Sequence, residues 1–238
     1  MHASGAPRRL AATPAVRSPA KVFDRDYFER LYERDADPWR YRSSLYEERK
    51  HAATIASLAQ PRYAKALDLG CSIGVLSQRL AAICDEVVAV DTSMRALTMA
   101  SESCRANVTF KQAHLPGGDW GSGFDLIVLS EILCYLQEPA IAVLAKRIEQ
   151  AALPGAECIA VHGIDYNSCP LSGDAVSEAF RRALPGTPLP SFRTRHYRLD
   201  HWRIAAHQAL PAGSLADMAG LLGDAASCGN QPARGLNS

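Results

Sequence analysis

A chain of 238 residues with 47% apolar residues, 21% charged residues and a formal net charge of +1 can bury one ordinary core and is too short for two large domains. Its apolar runs, such as residues 87–90 and 126–129, fall far short of the roughly 20 residues that a spanning helix requires, so no membrane span is expected. No basic stripe with interleaved aromatics is present to favour nucleic acid, which leaves a small molecule as the expected partner.

The first twenty residues, MHASGAPRRLAATPAVRSPA, are rich in Ala, Pro, Ser and Arg and lack the continuous apolar stretch of a secretory signal. A disordered arm is expected over residues 1–22. Residues 23–60 read as a helical cap. FDRDYFERLYERDADPWRYRSSLYEER (23–49) is dense in aromatics and charges, starts like a helix and breaks at Pro38, and residues 50–59 have the Ala, Leu and Ile of a second helix. From Lys65 the pattern becomes regular. β-like runs at 66–69, 86–90, 108–112, 124–129 and 157–163 alternate with helical stretches at 75–82, 94–104 and 138–152.

Strands with little polar alternation, separated by helices, demand a parallel sheet covered on both faces. Residues 61–208 are therefore predicted to form a doubly wound α/β domain. Pro170, Pro185, Pro188 and Pro190 exclude a long central strand over 165–190, which is predicted as a helix and loops over the ligand-binding edge. Residues 194–205 alternate enough for late strands, and the Gly/Ala/Ser-rich residues 209–238 read as a flexible tail. The seven cysteines, Cys71, Cys84, Cys104, Cys134, Cys158, Cys169 and Cys228, are scattered without a C-x-x-C pair or zinc-like His spacing. They predict reduced thiols in a cytoplasmic protein and no metal.

The stretch ALDLGCSIG (66–74) sets an acid in an apolar strand and then breaks the strand with two glycines. The strand delivers the chain to a turn at Gly70, and Gly74 opens the following helix; glycines suit a place where backbone meets a ligand with no Cβ between. The carboxyl end of the first strand is where doubly wound sheets bind nucleotides. The second strand ends in Asp91, an acid placed to accept hydrogen bonds from both ribose hydroxyls of an adenosine cofactor. The spacing is G-x-x-x-G, not the G-x-G-x-x-G of dinucleotide binders. Asp68 beside it disfavours a pyrophosphate and favours a cationic amino-acid group. S-adenosylmethionine carries such a group and no phosphate.

Taken together, ALDLGCSIG, VVAVDTS (87–93), FDLIVLSEILCYL (124–136) and LPGAECIAV (153–161) resemble, in order and spacing, the class I S-adenosylmethionine-dependent methyltransferases. The resemblance implies a mostly parallel, seven-stranded Rossmann-like sheet with helices on both faces. It also implies that Gly70, Cys71, Ser72 and Gly74 line the methionine part, Asp91 holds the ribose, and Thr92 or Ser93 sits beside the adenine. Asp68 would orient the loop and support the cofactor ammonium through a water. Where that family often has an acid for the adenine amino group, this chain has Ala113-His114-Leu115; His114 is either its substitute or a surface loop residue. Ser130 and Glu131 would lie under the sulfonium and near the acceptor.

Asp37-Pro38-Trp39 followed by SSLYEERK (43–50) resembles the opening segment of the nodulation protein S-like methyltransferases, in which it caps the cofactor. The likeness implies that Trp39 and Tyr46 shield the sulfonium and that Arg49 reaches the cofactor carboxylate. An aromatic face beside a cation contributes about 0.5 to 2 kcal/mol. The alternative is that these aromatics staple a helix to the core.

Methyl transfer asks the protein mainly to align nucleophile, carbon and sulfur, and an amine acceptor also needs a base. Glu131, at a strand's carboxyl end, is the first candidate. His162 in AVHGIDY is the second, since imidazole titrates near neutral pH, or else a packed, hydrogen-bonded strand-end residue, and Tyr135 either orients the acceptor or packs in the core. No D/N-P-P-Y/F signature follows the fourth strand, which argues against nucleic-acid base methylation. The resemblance implies N-methylation of the free amine of a deacetylated amino sugar or chitooligosaccharide; aromatics on the open edge would help to bind a sugar, and Tyr166, Phe192, Tyr197 and Trp202 are either such platforms or core residues. Another small metabolite with an N- or O-acceptor is the alternative, and a cofactor-binding regulatory protein without catalysis is the rival from another class. Oligomeric state is not readable.

Overall fold

The computed structural model describes residues 22–164, 169 and 171–205. Of the arm expected over residues 1–22, all but the last residue lie outside the described residues, as do the tail from 209, Tyr166 and Pro170.

Five strands follow the predicted order, with helices between them except from β3 to β4, which a loop joins: β1 (Tyr63–Leu69), β2 (Cys84–Asp91), β3 (Val108–Gln112), β4 (Phe124–Ser130) and β5 (Ala152–Gly163). Their order is β3-β2-β1-β4-β5, all parallel. The chain leaves β1 toward one edge and returns to β4 on its other side, which makes the carboxyl end of β1 the switch point where such sheets open a crevice. The remaining strands are β6 (Gly186–Pro188), β7 (Phe192–Arg193) and β8 (Tyr197–Ile204). β8 runs antiparallel between β5 and β6, and β7 pairs with it. The sheet therefore has eight strands, not seven, because the short β7 adds an extra pairing on β8.

Alternate residues of the central strands feed opposite cores. Leu67, Leu69, Ile127, Leu129, Cys158 and Ala160 join one, and Ala66, Leu126, Val128, Ile159 and Val161 join the other. The first core is covered by α5 (Glu138–Ala151), which buries Ile141, Leu144, Ala145 and Ile148 at helical spacing, and by α6 (Gly173–Ala183) with Val176, Ala179 and Phe180. The second is covered by α3 (Val75–Leu80) through Leu76 and Leu80, with Ile55 and Leu58 against it. α4 (Met94–Ser101) packs Leu97 on Cys71 and Ala89.

Among the described residues, two helices precede the sheet. In α1 (Arg25–Arg34), Asp24 caps the first turn by accepting the Tyr27 N–H at 2.8 Å, and Phe28 and Tyr32 are buried. α2 (Leu45–Ser57) is capped by Ser44. Between them Asp37 closes the turn by accepting the N–H groups of Tyr41 and Arg42 at 2.8 and 2.9 Å. The predicted break is at the right place, and Asp37 holds it as firmly as Pro38 does.

Candidate functional site

A cleft opens at the carboxyl ends of β1, β2 and β4. The N–H groups of Gly70 and Cys71 donate to Val90 O at 2.8 and 2.9 Å, tying the loop after β1 to its neighbouring strand. That loop turns through positive φ at Gly70 (79°), Ser72 (52°) and Gly74 (78°). A Cβ on Gly70 would stand 2.9 Å from Ile132 Cδ1, and one on Gly74 would stand 2.8 Å from Cys104 Sγ. The groups crowding these glycines are thus protein side chains: Gly74 is needed for α3–α4 packing, whereas Gly70 itself lines the cleft beside Ile132.

Asp91 closes β2. Its Oδ2 accepts the Ser72 N–H and its Oδ1 the Ser93 N–H, both at 2.9 Å. The carboxylate is thereby aimed at the loop after β1 with lone pairs to spare. Burial pushes its pKa up to about 6 against the pull of these N–H donors. Beyond it, Thr92 Oγ1 meets His114 Nδ1 at 3.1 Å, and Thr92, Ala113, His114 and Leu115 form one wall.

The opposite wall is aromatic. Phe23, Phe28, Tyr32, Trp39 and Tyr41 come from the N-terminal segment, and Tyr135 and Leu136 from the turn after β4. Tyr135 sits 5.2 Å from both Phe23 and Phe28, and Trp39 lies 5.7 Å from Tyr32. The Tyr32 hydroxyl donates to Ser72 Oγ at 2.5 Å. Glu29 accepts the Met94 N–H at 2.6 Å and the Ser93 hydroxyl at 3.2 Å, setting a carboxylate of α1 at the N-terminus of α4, where the helix dipole favours it. The cleft holds about 600 Å³ of empty space, the open solvent at its mouth included.

A recess adjoins it, lined by Tyr41, His51, Asp68, Cys71, Ser72 and Ser130 among others. Asp68 is 1% exposed and accepts the Ser77 hydroxyl at 2.6 Å. Burial raises it to about 6, with Ser77 opposing and Asp91 adding to the rise. His51 is also buried, its Nδ1 has no hydrogen-bond partner among the described residues, and burial, then Lys50 and Arg79, lower it to about 4. The recess thus presents an acid on one wall and a neutral imidazole on another.

At the end of β4, Glu131 adopts a φ of 56° and lines the cleft. Its Oε1 accepts Lys50 Nζ at 2.5 Å and its Oε2 the Gly163 N–H at 2.9 Å. Lys50 also bonds Glu47 Oε1 at 3.0 Å. His162 is buried, and its Nε2 accepts the Leu133 N–H at 3.2 Å. Burial, then Lys50 and Arg198, lower it to about 3. Among the described residues, no group of His, Cys, Asp and Glu side chains converges as a metal site.

A family model described as nodulation protein S (NodS) matches residues 24–152, more than half of the chain. The chain belongs to the nodulation protein S family. Nodulation protein S of Sinorhizobium fredii is 27% identical over 135 residues, covering 55% of this chain and 62% of that protein. The Rhizobium tropici protein is 32% identical over 107 residues, covering 44% and 45%. The match thus spans about half of the length of these relatives. Among solved structures, a Pseudomonas syringae protein described as a candidate methyltransferase is 33% identical with a TM-score of 0.60, covering 67% of this chain and 99% of that one. N-methyltransferase NodS from Bradyrhizobium japonicum, in complex with S-adenosyl-L-homocysteine, has a TM-score of 0.66 at 21% identity, covering 75% and 97%. The fold is that of the class I methyltransferases, Rossmann-like and mostly parallel.

Of the residues singled out in this NodS-family sequence, Trp39, Gly70, Ser72, Asp91, Thr92, Ala113, His114, Ser130, Glu131 and Tyr135 line the one cleft, and Asp68 and Cys71 line its recess. Several others fall elsewhere. Gly74 packs under α4, and Ser93 caps α4, accepting the Ala96 N–H. Arg49 is exposed, one residue away from the buried Lys50. Tyr46 packs outside the lining, 6.1 Å from both His196 and Tyr197. His162 is enclosed beneath the turn after β4 and is corrected from candidate base to a backbone acceptor. Trp202 is buried against Phe180 and is no sugar platform, whereas Phe192 and Tyr197 pack 5.9 Å apart. Glu29, Tyr32, Tyr41, Lys50 and His51 went unread. Helical spacing carried part of the signal, since Glu47 and Lys50 stand one turn apart in YEERK and share a face.

Proposed function

We propose that the protein is an S-adenosylmethionine-dependent N-methyltransferase acting on the free amine of a small molecule, with a deacetylated amino sugar or chitooligosaccharide as the acceptor class. The observation that carries the reading is Asp91, whose carboxylate is held by the Ser72 and Ser93 N–H groups at the edge of the cleft. Such a carboxylate suits a pair of ribose hydroxyls. Membership of the nodulation protein S family supports it, as does the likeness of fold to an N-methyltransferase solved with S-adenosyl-L-homocysteine.

The residues fit this cofactor. Asp91 would take the ribose, and Thr92, Ala113, His114 and Leu115 would flank the adenine. Asp68 offers a carboxylate to the ammonium of the zwitterionic methionine end, and His51, whose Nδ1 has no hydrogen-bond partner among the described residues, offers a ring N–H to its carboxylate, so His51 replaces Arg49 as the group for the carboxylate. Bound there, S-adenosylmethionine supplies a methyl group already activated on a sulfonium. The chain's own work is to orient the acceptor, exclude water with the aromatic wall, and take a proton from the amine. Glu131, which lines the cleft as a carboxylate with two donors behind it, is the group for that proton. The boundary of the cap at residue 60 and a cytoplasmic location belong to the same proposal; the cysteines from Cys71 to Cys169 are free thiols, which suits a reducing compartment.

Thermal-shift titration tests the cofactor, since a native-state ligand raises stability by mass action: S-adenosylhomocysteine is expected to shift the melting temperature and NAD is not. Transfer from labelled S-adenosylmethionine to free-amine glucosamine oligomers tests the acceptor. Methylation of another metabolite, with every glucosamine oligomer refused, would remove the sugar while keeping the enzyme. Cofactor binding without turnover on any amine or hydroxyl would favour a regulatory role.

A further inference from the structure

Lys50 is among the largest wholly enclosed side chains of the described residues, at 0% exposure. A buried ammonium is expensive unless it is paired and hydrogen-bonded, and this one has two carboxylates: Glu47 on its own helix and Glu131 at the end of β4. Burial works against its charge, but Glu131 and Glu47 outweigh burial and leave its pKa raised. Its Nζ also lies 5.0 Å from the centre of the Tyr46 ring. On the far side, the Gly163 N–H holds the second oxygen of Glu131. A carboxylate gripped by α2 through one oxygen and by β5 through the other has little freedom left, on a backbone already forced to positive φ.

The sharing is uneven. Lys50 Nζ stands 2.5 Å from Glu131 and 2.8 Å from Glu47 Oε2, yet that Glu47 oxygen makes no hydrogen bond. Two carboxylates facing one ammonium leave the cluster a negative charge in excess, in a water-poor place beside the cleft. Burial accordingly raises Glu47, with Lys50 opposing.

We infer that Lys50 and Glu47 are positioning residues for the acceptor amine: Lys50 aims the Glu131 carboxylate into the cleft, and Glu47, by sharing the Lys50 ammonium, sets how tightly Lys50 holds Glu131. The step is a proton transfer. The N–H bond of the acceptor ammonium breaks and an O–H bond forms on Glu131. The electron pair stays on nitrogen as the nucleophile, and the proton leaves to solvent after turnover. This inference rests on the amine-acceptor reading above.

Opposite displacements test it. In Lys50→Met a carboxylate stripped of its cation keeps its proton to higher pH, so the acid limb of the rate–pH profile is expected to rise by about one unit, with kcat down roughly a hundredfold. In Glu47→Gln, Lys50 serves Glu131 undivided, and the limb is expected to fall. Lys50→Arg restores a cation and should recover at least tenfold of the lost kcat. Binding of S-adenosylhomocysteine by calorimetry should stay within threefold of wild type in all three. Glucosamine-oligomer binding to that complex should weaken in Lys50→Met and show altered proton release between buffers. Limbs that move the same way in both variants, or a Lys50→Met enzyme with the wild-type profile, would overturn the inference. If Lys50→Met does not fold, the direction of the Glu47→Gln shift decides alone. Wild-type protein that binds S-adenosylhomocysteine but methylates no amine overturns the amine reading and this inference with it; an active wild type with unmoved variants overturns only the inference.

Discussion

Replacing Asp68 by Asn is expected to stabilise the protein at pH 8 and to destabilise it at pH 4. Asp68 is almost fully enclosed, its carboxylate hydrogen-bonded by Ser77 alone among the described residues, and burial raises it from 3.8 to about 6. A rise of about two units corresponds to about 3 kcal/mol of differential interaction between its protonation states. The sign follows from linkage: a group whose folded pKa is raised contributes stability that is full below the unfolded value, near 4, and lost as pH climbs through about 6. At pH 8 the native state therefore carries the whole cost of the buried charge. Asn keeps an oxygen for the Ser77 hydroxyl and removes that cost, but buries an amide NH₂ at a penalty of about 1 to 2 kcal/mol. The net gain at pH 8 is about 1 to 2 kcal/mol, and by pH 4, where the acid is protonated anyway, only the penalty of about 1 to 2 kcal/mol is left. Urea unfolding of ligand-free protein at the two pH values measures both, and calorimetry with S-adenosylhomocysteine should show affinity falling about tenfold as the counter-charge to the ligand ammonium is lost. Equal destabilisation at both pH values would refute the reasoning.

Asp91→Ala strands the Ser72 and Ser93 N–H groups and removes the ribose acceptor; S-adenosylhomocysteine affinity should drop at least tenfold in calorimetry, and unchanged affinity would overturn the ribose assignment. Gly74→Ala places a methyl 2.8 Å from Cys104 Sγ at a φ of 78°, and left-handed strain plus overpacking should cost about 2 to 4 kcal/mol in urea unfolding. His162→Leu orphans the Leu133 N–H and should lose about 1 to 3 kcal/mol of stability while leaving the pH profile of any turnover in place, because the imidazole is uncharged throughout the working range.

The parallel core was legible because its strands are buried on both faces and therefore read as continuous apolar runs. Residues 124–129 needed only Ser130 to become β4, whereas 157–163 had to be extended back to Ala152 to become β5. Helix ends were less legible. The stretches predicted to 82 and 104 stop at Leu80 and Ser101, where Asn107 Nδ2 donates to Ala81 O and Cys84 O, a long-range partner that no local pattern announces.

The place of the cleft was readable from spacing, since a glycine turn after one strand and an acid closing the next fall at a fixed place in a doubly wound sheet, and both Gly70 and Asp91 line it. Roles that depend on which way a side chain points were not. Arg49 and Lys50 are adjacent cations on one helix, and a turn of about 100° per residue sends one to water and the other to the centre of a buried ion cluster. His162 and Glu131 both end strands, but the sheet and the turn after β4 enclose the first and leave the second on the cleft. Sequence by itself determined the sheet, its switch point and the acid beside it, because those follow from local periodicity and burial; only the tertiary structure decided which ionisable groups meet, because pairing a charge across 81 positions of chain, as Lys50 and Glu131 do, is set by packing and not by neighbourhood in the sequence.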